Sequence, residues 1–328
     1  MRGVLKLKVE SGNTKKVQTG AKNFFSSYGI YFVLILMVGI LSIISPAFFT
    51  VQNIINVLRQ ISINGILAIG VTLIIVTGGI DLSLGSILAL AGVVATNHAH
   101  PEPYYPLALI ILMGIAVGAL CGLVNGSIVA YSRVSPFIVT LGMMTVARGV
   151  TFVYTDGRPI IKLTKEYQYI GQGVFLGIPL PIYILLFIGI VGFVILHKSK
   201  YGRHIYAIGG NEMAAKVSGI NVARIKLFVY TFAGALCGLA GIMLASRTNA
   251  ATPNAGSGYE LDAIAAAVLG GTSTSGGRGT IYGTIVGVLI MGVLSNGLDI
   301  LNVSSYIQQI VKGVIIVGAV WVDQMNTT

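Results

Sequence analysis

Carboxylates beside breaks in long apolar segments are the side chains of this sequence best placed to do chemistry. In TGGIDLSLGS (77–86), two glycines end one apolar segment, and Asp81 and Ser83 stand where the next helix should begin. Asp81 can cap that helix by accepting backbone N–H bonds, but a carboxylate within a membrane costs about 2.5–3.5 kcal/mol. It must therefore face a cavity, a partner or a helix N-terminus, either as a structural cap or in a transport pathway or gate.

A second break contains Glu260 and Asp262, in GYELDAIAAAVLGG (258–271). We expect both to begin a short helix of small residues, since acidic side chains suit a helix N-terminus and small ones let helices approach closely around a pathway. A favourable interaction with the helix dipole is sufficient to explain why Glu260 occupies this position. The glycine loop that follows (270–280) lacks the lysine of a phosphate-binding loop, so any ATP that drives this protein is bound by another chain.

Two cations, Arg148 and Lys312, lie within or beside apolar runs. Both could extend to a membrane interface, or one could pair with a carboxylate such as Asp81; Arg148 is also a candidate pathway residue. His98 and His100 offer too few ligands for a metal site, and no hydrolase or metalloprotease motif has a usable context. The sequence therefore predicts a protein that is not an enzyme and has no metal site.

The composition is that of an integral membrane protein. Of 328 residues, 55% are hydrophobic and 9% charged, whereas about 25% of residues in soluble domains are charged. The net charge of +11 clusters beside apolar runs, as the positive-inside rule produces, so nucleic acid is not an expected partner. Cys121 and Cys237 lie inside apolar runs, where they act as small hydrophobic residues.

The apolar segments that must position these residues predict an all-α polytopic membrane helix bundle. A spanning helix needs about 20 residues, and ten candidate segments follow one another with short loops between them. Several are irregular, so eight to ten would cross, within one transmembrane permease domain (28–322). The candidate segments are 28–45, 51–77, 82–96, 104–131, 136–154, 181–197, 227–246, 259–270, 281–298 and 306–322.

Positive charge sets the expected orientation of these spans. The basic N-terminal tail (1–27) and a basic island (198–226) should both be cytoplasmic, and six of the ten segments separate them. An even number keeps both on the same side of the membrane. The ten-span interpretation then places a short C-terminal tail (323–328) in the cytoplasm as well.

A faint internal repeat fits the same interpretation. VNGSIVAYSRVSPFIVTL (124–141) resembles LSNGLDILNVSSYIQQI (294–310) in its Asn-Gly, Val-Ser and Ile positions. With ten spans the two segments run in opposite directions, as in an inverted repeat. Chance similarity is the alternative, because few positions match.

The island is suited to contact with a partner. Asn211 can cap a short helix over 212–218, Gly219 can end it, and Ala214 and Ala215 would make a compact knob on its surface that fits a groove on another protein. A solvated basic loop is the alternative. The candidate coupling residues are Gly209, Gly210, Asn211, Glu212, Ala214, Ala215 and Gly219.

The island resembles the Glu-Ala-Ala-x-x-x-Gly loop of binding-protein-dependent ABC importer permeases, which docks on the ATPase. Ala214, Ala215 and Gly219 keep the spacing, but Met213 occupies the Glu position and Glu212 precedes it. From about residue 45 onward the chain resembles the ribose-type sugar permeases, a group that includes permeases for xylose, arabinose, galactosides and autoinducer-2. The motifs are TGGIDLSLGS, SPFIVTLGMMTVARG, GRPI, YAIGGNEMAAKVSGI and GYELDAIAAAVLGGTSTSGG, in this order.

The resemblance implies a mechanism in which this chain catalyses no covalent chemistry and binds no cofactor. Two copies, surrounded by membrane lipid, would form the pathway at their interface, and a cytoplasmic ABC ATPase holding ATP and Mg²⁺ would grip the two islands. An extracytoplasmic sugar-binding protein would deliver a monosaccharide for alternating-access transport across the bacterial inner membrane, and ribose is the expected substrate. The alternatives are another sugar, an ion-coupled secondary transporter, or a membrane enzyme or assembly component. Scarce buried ionisable residues argue against the secondary transporter.

Overall fold

The computed structural model describes residues 29–325. The predicted N-terminal tail, 1–27, and the last residues of the predicted C-terminal tail, 326–328, lie outside this range. The helices are α1 Gly29–Ile44, α2 Val51–Val76, α3 Leu84–Thr96, α4 Leu107–Tyr131, α5 Pro136–Thr155, α6 Lys165–Gln172, α7 Leu180–Phe193 with a π-helical turn Val194–Lys198, α8 Lys200–Gly210, α9 Glu212–Val217, α10 Val222–Thr248, α11 Tyr259–Leu269, α12 Ile281–Ile300 and α13 Ser305–Met325. One hairpin pairs β1 Val174–Phe175 with β2 Ile178–Pro179.

Seven helices of the described range are long and apolar enough to cross a membrane: α2, α4, α5, α7 with its π-helical turn, α10, α12 and α13. Each of the ten predicted segments is helical, but α3 and α11 have 13 and 11 residues. At 1.5 Å per residue they reach about 20 and 17 Å, too short to cross a hydrocarbon core of about 30 Å alone. The chain is an all-α polytopic membrane protein in which two predicted spans are half-length helices.

A seam of glycines joins α4 to α10 at the centre of the bundle. Gly118 and Gly122 of α4 face Gly234 and Gly238 of α10, and a Cβ at Gly118 would overlap the Gly234 carbonyl oxygen. Small residues let membrane helices pack backbone against backbone, which gains van der Waals contact where no hydrophobic driving force acts. Since α10 also packs on α2 and α3, it is the helix around which the core is built.

The two halves of the bundle repeat the same packing relations. α10 packs on α3 and α4, as α2 packs on α11 and α12; α5 lies against α3, as α13 lies against α11. The sequence repeat falls at matching places, because 124–141 joins α4 to α5 and 294–310 joins α12 to α13. The half-length helices α3 and α11 thus occupy equivalent positions in the two halves.

α13 is the least buried of the long helices. None of its most apolar stretch is buried in the protomer, against 83% for α2. Its exposed side chains recur at intervals of three or four residues and so share one face of the helix. They are Tyr306, Ile310, Val314, Val317 and Trp321.

Candidate functional site

The island folds into two short helices joined by a sharp turn. Gly209 and Gly210 are the last two residues of α8, and the chain turns at Asn211. The Asn211 side chain accepts a hydrogen bond from the Ala214 amide (2.9 Å) and caps α9, as predicted. After α9, Gly219 adopts the left-handed conformation with φ +82°, which only glycine takes without strain.

α9 presents an exposed apolar face of three residues, Met213, Ala214 and Val217. Met213 is 71% exposed and Val217 84%, and the two lie one helical turn apart. Ala215, which the sequence placed on the surface, is instead 4% exposed, because α9 packs against α8 and the start of α10. The i, i+4 spacing of Met213 and Val217 is the signal that could have identified this face.

Glu212 serves a different purpose from the α9 face. Its carboxylate accepts a hydrogen bond from the Lys226 ammonium of α10 at 2.8 Å. Because 54% of the Glu212 side chain is exposed, the pair contributes little stability, about 0–1 kcal/mol. Its effect is to hold the start of α9 beside the start of α10.

The end of α8 meets the glycine loop and the end of α2. The Tyr206 hydroxyl donates to the Gly279 carbonyl oxygen of the glycine loop (2.6 Å). The Gly277 amide of the same loop donates to the Val76 carbonyl oxygen at the end of α2 (2.9 Å). A Cβ at Gly209 would overlap that Val76 oxygen, so a glycine is required where α8 meets α2.

The glycine loop also holds the end of α13. The Ser273 hydroxyl, the Thr274 amide and the Thr274 hydroxyl all donate to Oδ2 of Asp323, at 3.2, 2.9 and 3.0 Å. A loop that superficially resembles a phosphate-binding loop thus directs its donors at a carboxylate of its own chain. The predicted C-terminal tail is corrected here, because Asp323 lies within α13, which continues to Met325.

The break between α2 and α3 differs from the predicted cap. Asp81 is 2% exposed, and its Oδ1 accepts from the amide (2.8 Å) and the hydroxyl of Ser83, which precedes α3. Asp81 therefore orders the turn and does not cap the helix itself. The Asn125 side-chain amide of α4 donates to the Ser83 hydroxyl (2.9 Å), and the Thr140 hydroxyl of α5 donates to the Ile80 carbonyl oxygen (3.2 Å).

The break before α11 carries an ion pair. Glu260 and Asp262 lie in the first turn of α11, as predicted, and Asp262 Oδ2 lies 2.8 Å from Lys312 Nζ of α13. The two side chains are 10% and 21% exposed, so Lys312 does not extend to an interface and its partner is not Asp81. A cavity of about 550 Å³ opens here between α11 and α13, lined in part by Glu260, Asp262, Gln308 and Lys312.

Arg148 is also held inside the protein. Its Nη1 donates to the carbonyl oxygens of Pro253 (2.6 Å) and Ala255 (2.9 Å), in the segment that leads into α11. The carboxylate that interacts electrostatically with the guanidinium is Glu260 and not Asp81. The guanidinium ties α5 to the loop before α11.

The two histidines of the predicted outer loop contact different carbonyl groups. His98 Nδ1 lies 2.9 Å from the Val94 oxygen and His100 Nδ1 lies 3.3 Å from the Lys162 oxygen. Across residues 29–325, no three His, Cys, Asp or Glu side chains gather closely enough to hold a metal ion.

A bundle of helices long and apolar enough to cross a membrane, with the small capped helix α9 exposed between two of them, defines a polytopic membrane transport protein. The sequence model of the family described as "Branched-chain amino acid transport system / permease component" matches residues 53–320. The chain belongs to this family. It is therefore a multi-pass inner-membrane permease component and not itself an enzyme.

The most informative relatives match along nearly the whole chain. The ribose import permease RbsC of Bacillus subtilis is 47% identical over 98% of this chain and 100% of its own length. RbsC of Escherichia coli K12 is 50% identical over 88% of this chain and 91% of its own. The galactose/methyl galactoside import permease MglC of Salmonella typhimurium is 41% identical over 91% of this chain and 94% of its own length. No solved structure matches the chain. The resemblance drawn from the motifs is confirmed.

Proposed function

We propose that this chain is the membrane-spanning subunit of an ATP-binding-cassette importer that moves a monosaccharide by alternating access. Ribose is the expected substrate. One observation carries the proposal: the exposed α9 face stands on a capped helix between two long apolar helices, in a chain that one ribose import permease matches over 98% of its length. A six-residue helix is too short to be stable alone, so its cap, its glycine stop and its exposed apolar residues suit a docking surface.

Ribose is favoured over other sugars by the degree of similarity. The ribose import permeases are 47% and 50% identical to this chain, and the galactose/methyl galactoside permease is 41% identical. The alternative is that this chain moves another sugar, such as a galactoside, xylose, arabinose or autoinducer-2.

The ATPase in this proposal is a separate chain that holds ATP and Mg²⁺, while the permease binds no cofactor. It would receive the α9 face in the cytoplasm, and a sugar-binding protein would dock on the opposite side of the membrane. The basic residues of the island favour a cytoplasmic position. They include Lys198, Lys200, Arg203, Lys216, Arg224 and Lys226.

We propose ten spans with both termini in the cytoplasm. The seven long helices would supply seven spans and α1 an eighth. α3 and α11 would supply the other two, and each of these two short helices would complete its span with the irregular segment beside it. Irregular backbone is tolerated at membrane depth where it is buried in protein, and the buried Asp81 turn fits that condition. The repeated packing relations support an inverted repeat of α2–α5 and α10–α13.

A second copy of the chain would pack beside α5 and α13. An added Cβ at Gly142 or Gly149 of α5 would meet no other atom within 4 Å, which leaves room for another backbone. The cavity beside α13 would then open towards the partner copy. Glu260 and Asp262 remain pathway candidates because they line it.

The other pathway candidates receive positioning roles in this proposal. Asp81 and Ser83 are 2% and 0% exposed in a hydrogen-bonded turn, and Arg148 is bound to two carbonyl oxygens. Asp81 and Ser83 are hydrogen-bonded to each other, and Nη1 of Arg148 is used by the loop before α11. They would instead hold α3, α5 and the loop before α11 in place.

Uptake of radiolabelled ribose by cells with and without this chain tests the proposal. Deletion should abolish uptake, a protonophore should not while ATP is maintained, and unlabelled competitors should identify the preferred sugar. Uptake that collapses under the protonophore at constant ATP would instead indicate an ion-coupled transporter. Unchanged uptake after deletion would rule out ribose as the substrate.

A matched pair of glycine variants isolates the island. Gly219→Val and Gly177→Val each place a β-branched residue at a positive φ, +82° and +79°, with open space around it. Both should insert normally, because each strains only one turn. Only Gly219→Val should lose uptake, since Gly177 lies in the β1–β2 hairpin. Equal uptake by the two variants would contradict the docking role of α9.

A further inference from the structure

We infer that Tyr206, Thr274 and Asp323 are positioning residues of a continuous link that passes movement of α9 to α13. The inference rests on the proposed docking of α9 to an ATPase. It assigns to the glycine loop, which has neither a substrate nor a nucleotide to bind, the task of moving one helix beside the proposed pathway.

The first part of the link joins α9 to α8. α9 follows α8 directly through Asn211, whose side chain caps it, and the buried Ala215 packs it onto the rest of the protein. Because only Asn211 separates the two helices and α9 packs against α8, a force applied to the α9 face acts on α8.

The second part joins α8 to the glycine loop. The Tyr206 hydroxyl donates to the Gly279 carbonyl oxygen at 2.6 Å. Cβ atoms added at Gly276 and Gly277 would meet the backbone of Gly209 and Gly210 at 3.0–3.1 Å. The loop and the end of α8 are therefore in direct backbone contact, and neither can shift towards the other without moving it.

The third part joins the glycine loop to α13. Three donors of Ser273 and Thr274 converge on one oxygen of Asp323, and hydrogen bonds to a charged acceptor are about twice as strong as neutral ones. α13 is also attached to α11 by the Lys312–Asp262 pair, and nearer its start the Gln308 side chain donates to Asp299 Oδ1 of α12 at 2.8 Å. The attachments at Lys312 and Asp323 lead to α11 and to the loop that follows it, so that unit holds the part of α13 between these two residues.

The exposure of α13 gives the link a mechanical use. Among residues 29–325, none of the apolar stretch of α13 is buried in the protomer and its main packing partner is α11, so this stretch is not locked into the core. A helix so held can follow the glycine loop while the buried core stays packed. If α13 borders the pathway, the link converts movement of the ATPase into opening or closing of that pathway.

The test uses the whole importer in proteoliposomes, with its ATPase and sugar-binding protein, and measures ATP hydrolysed per ribose transported. Tyr206→Phe, Thr274→Val and Asp323→Asn should each raise this ratio, on the order of five-fold for the loss of one net hydrogen bond. ATPase activity without the binding protein should be unchanged. Tyr183→Phe is the matched control, because it removes a hydroxyl bonded to a carbonyl oxygen of Phe175 (3.1 Å) outside the link.

A merely structural role predicts different results. Links in series fail when any one breaks, so Tyr206→Phe combined with Asp323→Asn should match the larger single effect, whereas independent defects would add. Additive effects, or a ratio that equals the control, would overturn the inference. Tyr206→Phe keeps the half-buried ring and so reports even if an Asp323 variant fails to assemble. If the unmodified complex hydrolyses ATP without moving any sugar, the proposed function fails, and the inference with it.

Discussion

Removing Lys312 alone from its ion pair with Asp262 should destabilise the contact between α11 and α13, because it leaves a buried charge unpaired. Replacing Lys312 with methionine leaves the Asp262 carboxylate, 10% exposed, without its counter-charge. Breaking a buried pair costs about 3–5 kcal/mol, and the N-terminus of α11 offsets about 0.3–1 kcal/mol of that for a carboxylate. Since the neighbouring cavity lets water approach Asp262, we expect a loss of about 2–4 kcal/mol.

Equilibrium unfolding of the purified permease in mixed detergent micelles measures this loss. Lys165→Met, an exposed lysine of α6, is the control and should change the stability by less than about 0.5 kcal/mol. The double variant Lys312→Met with Asp262→Asn removes both charges, so it should recover most of the loss. A single variant no worse than the control, or a double variant no better than the single one, would refute the reasoning.

Three further perturbations follow from contacts described by the structure. Asn53 and Asn296 exchange two side-chain hydrogen bonds between α2 and α12 (2.9 and 2.7 Å), so Asn296→Ala should cost about 1–3 kcal/mol of stability in the same unfolding assay. Gly118→Val should prevent folding, because its Cβ would overlap backbone atoms of α10, whereas Gly142→Val meets open space and should give normal amounts of membrane-inserted protein. Val217→Asp on the 84% exposed edge of α9 should leave insertion unchanged and abolish co-purification with the ATPase; retained co-purification would contradict docking at this face.

Local features of the island were predictable from the sequence because their causes lie within a few residues. The cap by Asn211 and the stop at Gly219 depend on side-chain and backbone preferences that act over one turn. The burial of Ala215 was not predictable in this way, since it depends on α8 and α10 packing against that side of α9.

Long-range pairs account for most of what the sequence could not predict. Lys312 meets Asp262 fifty residues away, and Arg148 meets carbonyl oxygens more than a hundred residues away. Spacing along the chain carries no information about such contacts. Polar residues within apolar runs, such as Asn125 of α4, were a usable signal, because a buried amide needs a partner. Asp323 was assigned to a tail because α13 is longer than the apolar stretch that marks it.

The glycine seam ties the movement of α10 to that of α4. Since the backbones of α4 and α10 are in direct contact, we expect the two helices to tilt together. α10 has 27 residues and is about 40 Å long, so a tilt of about 5° at the island would displace its far end by about 3.5 Å. That displacement exceeds the diameter of a water molecule, so a small rotation on one side of the membrane is sufficient to change solvent access on the other.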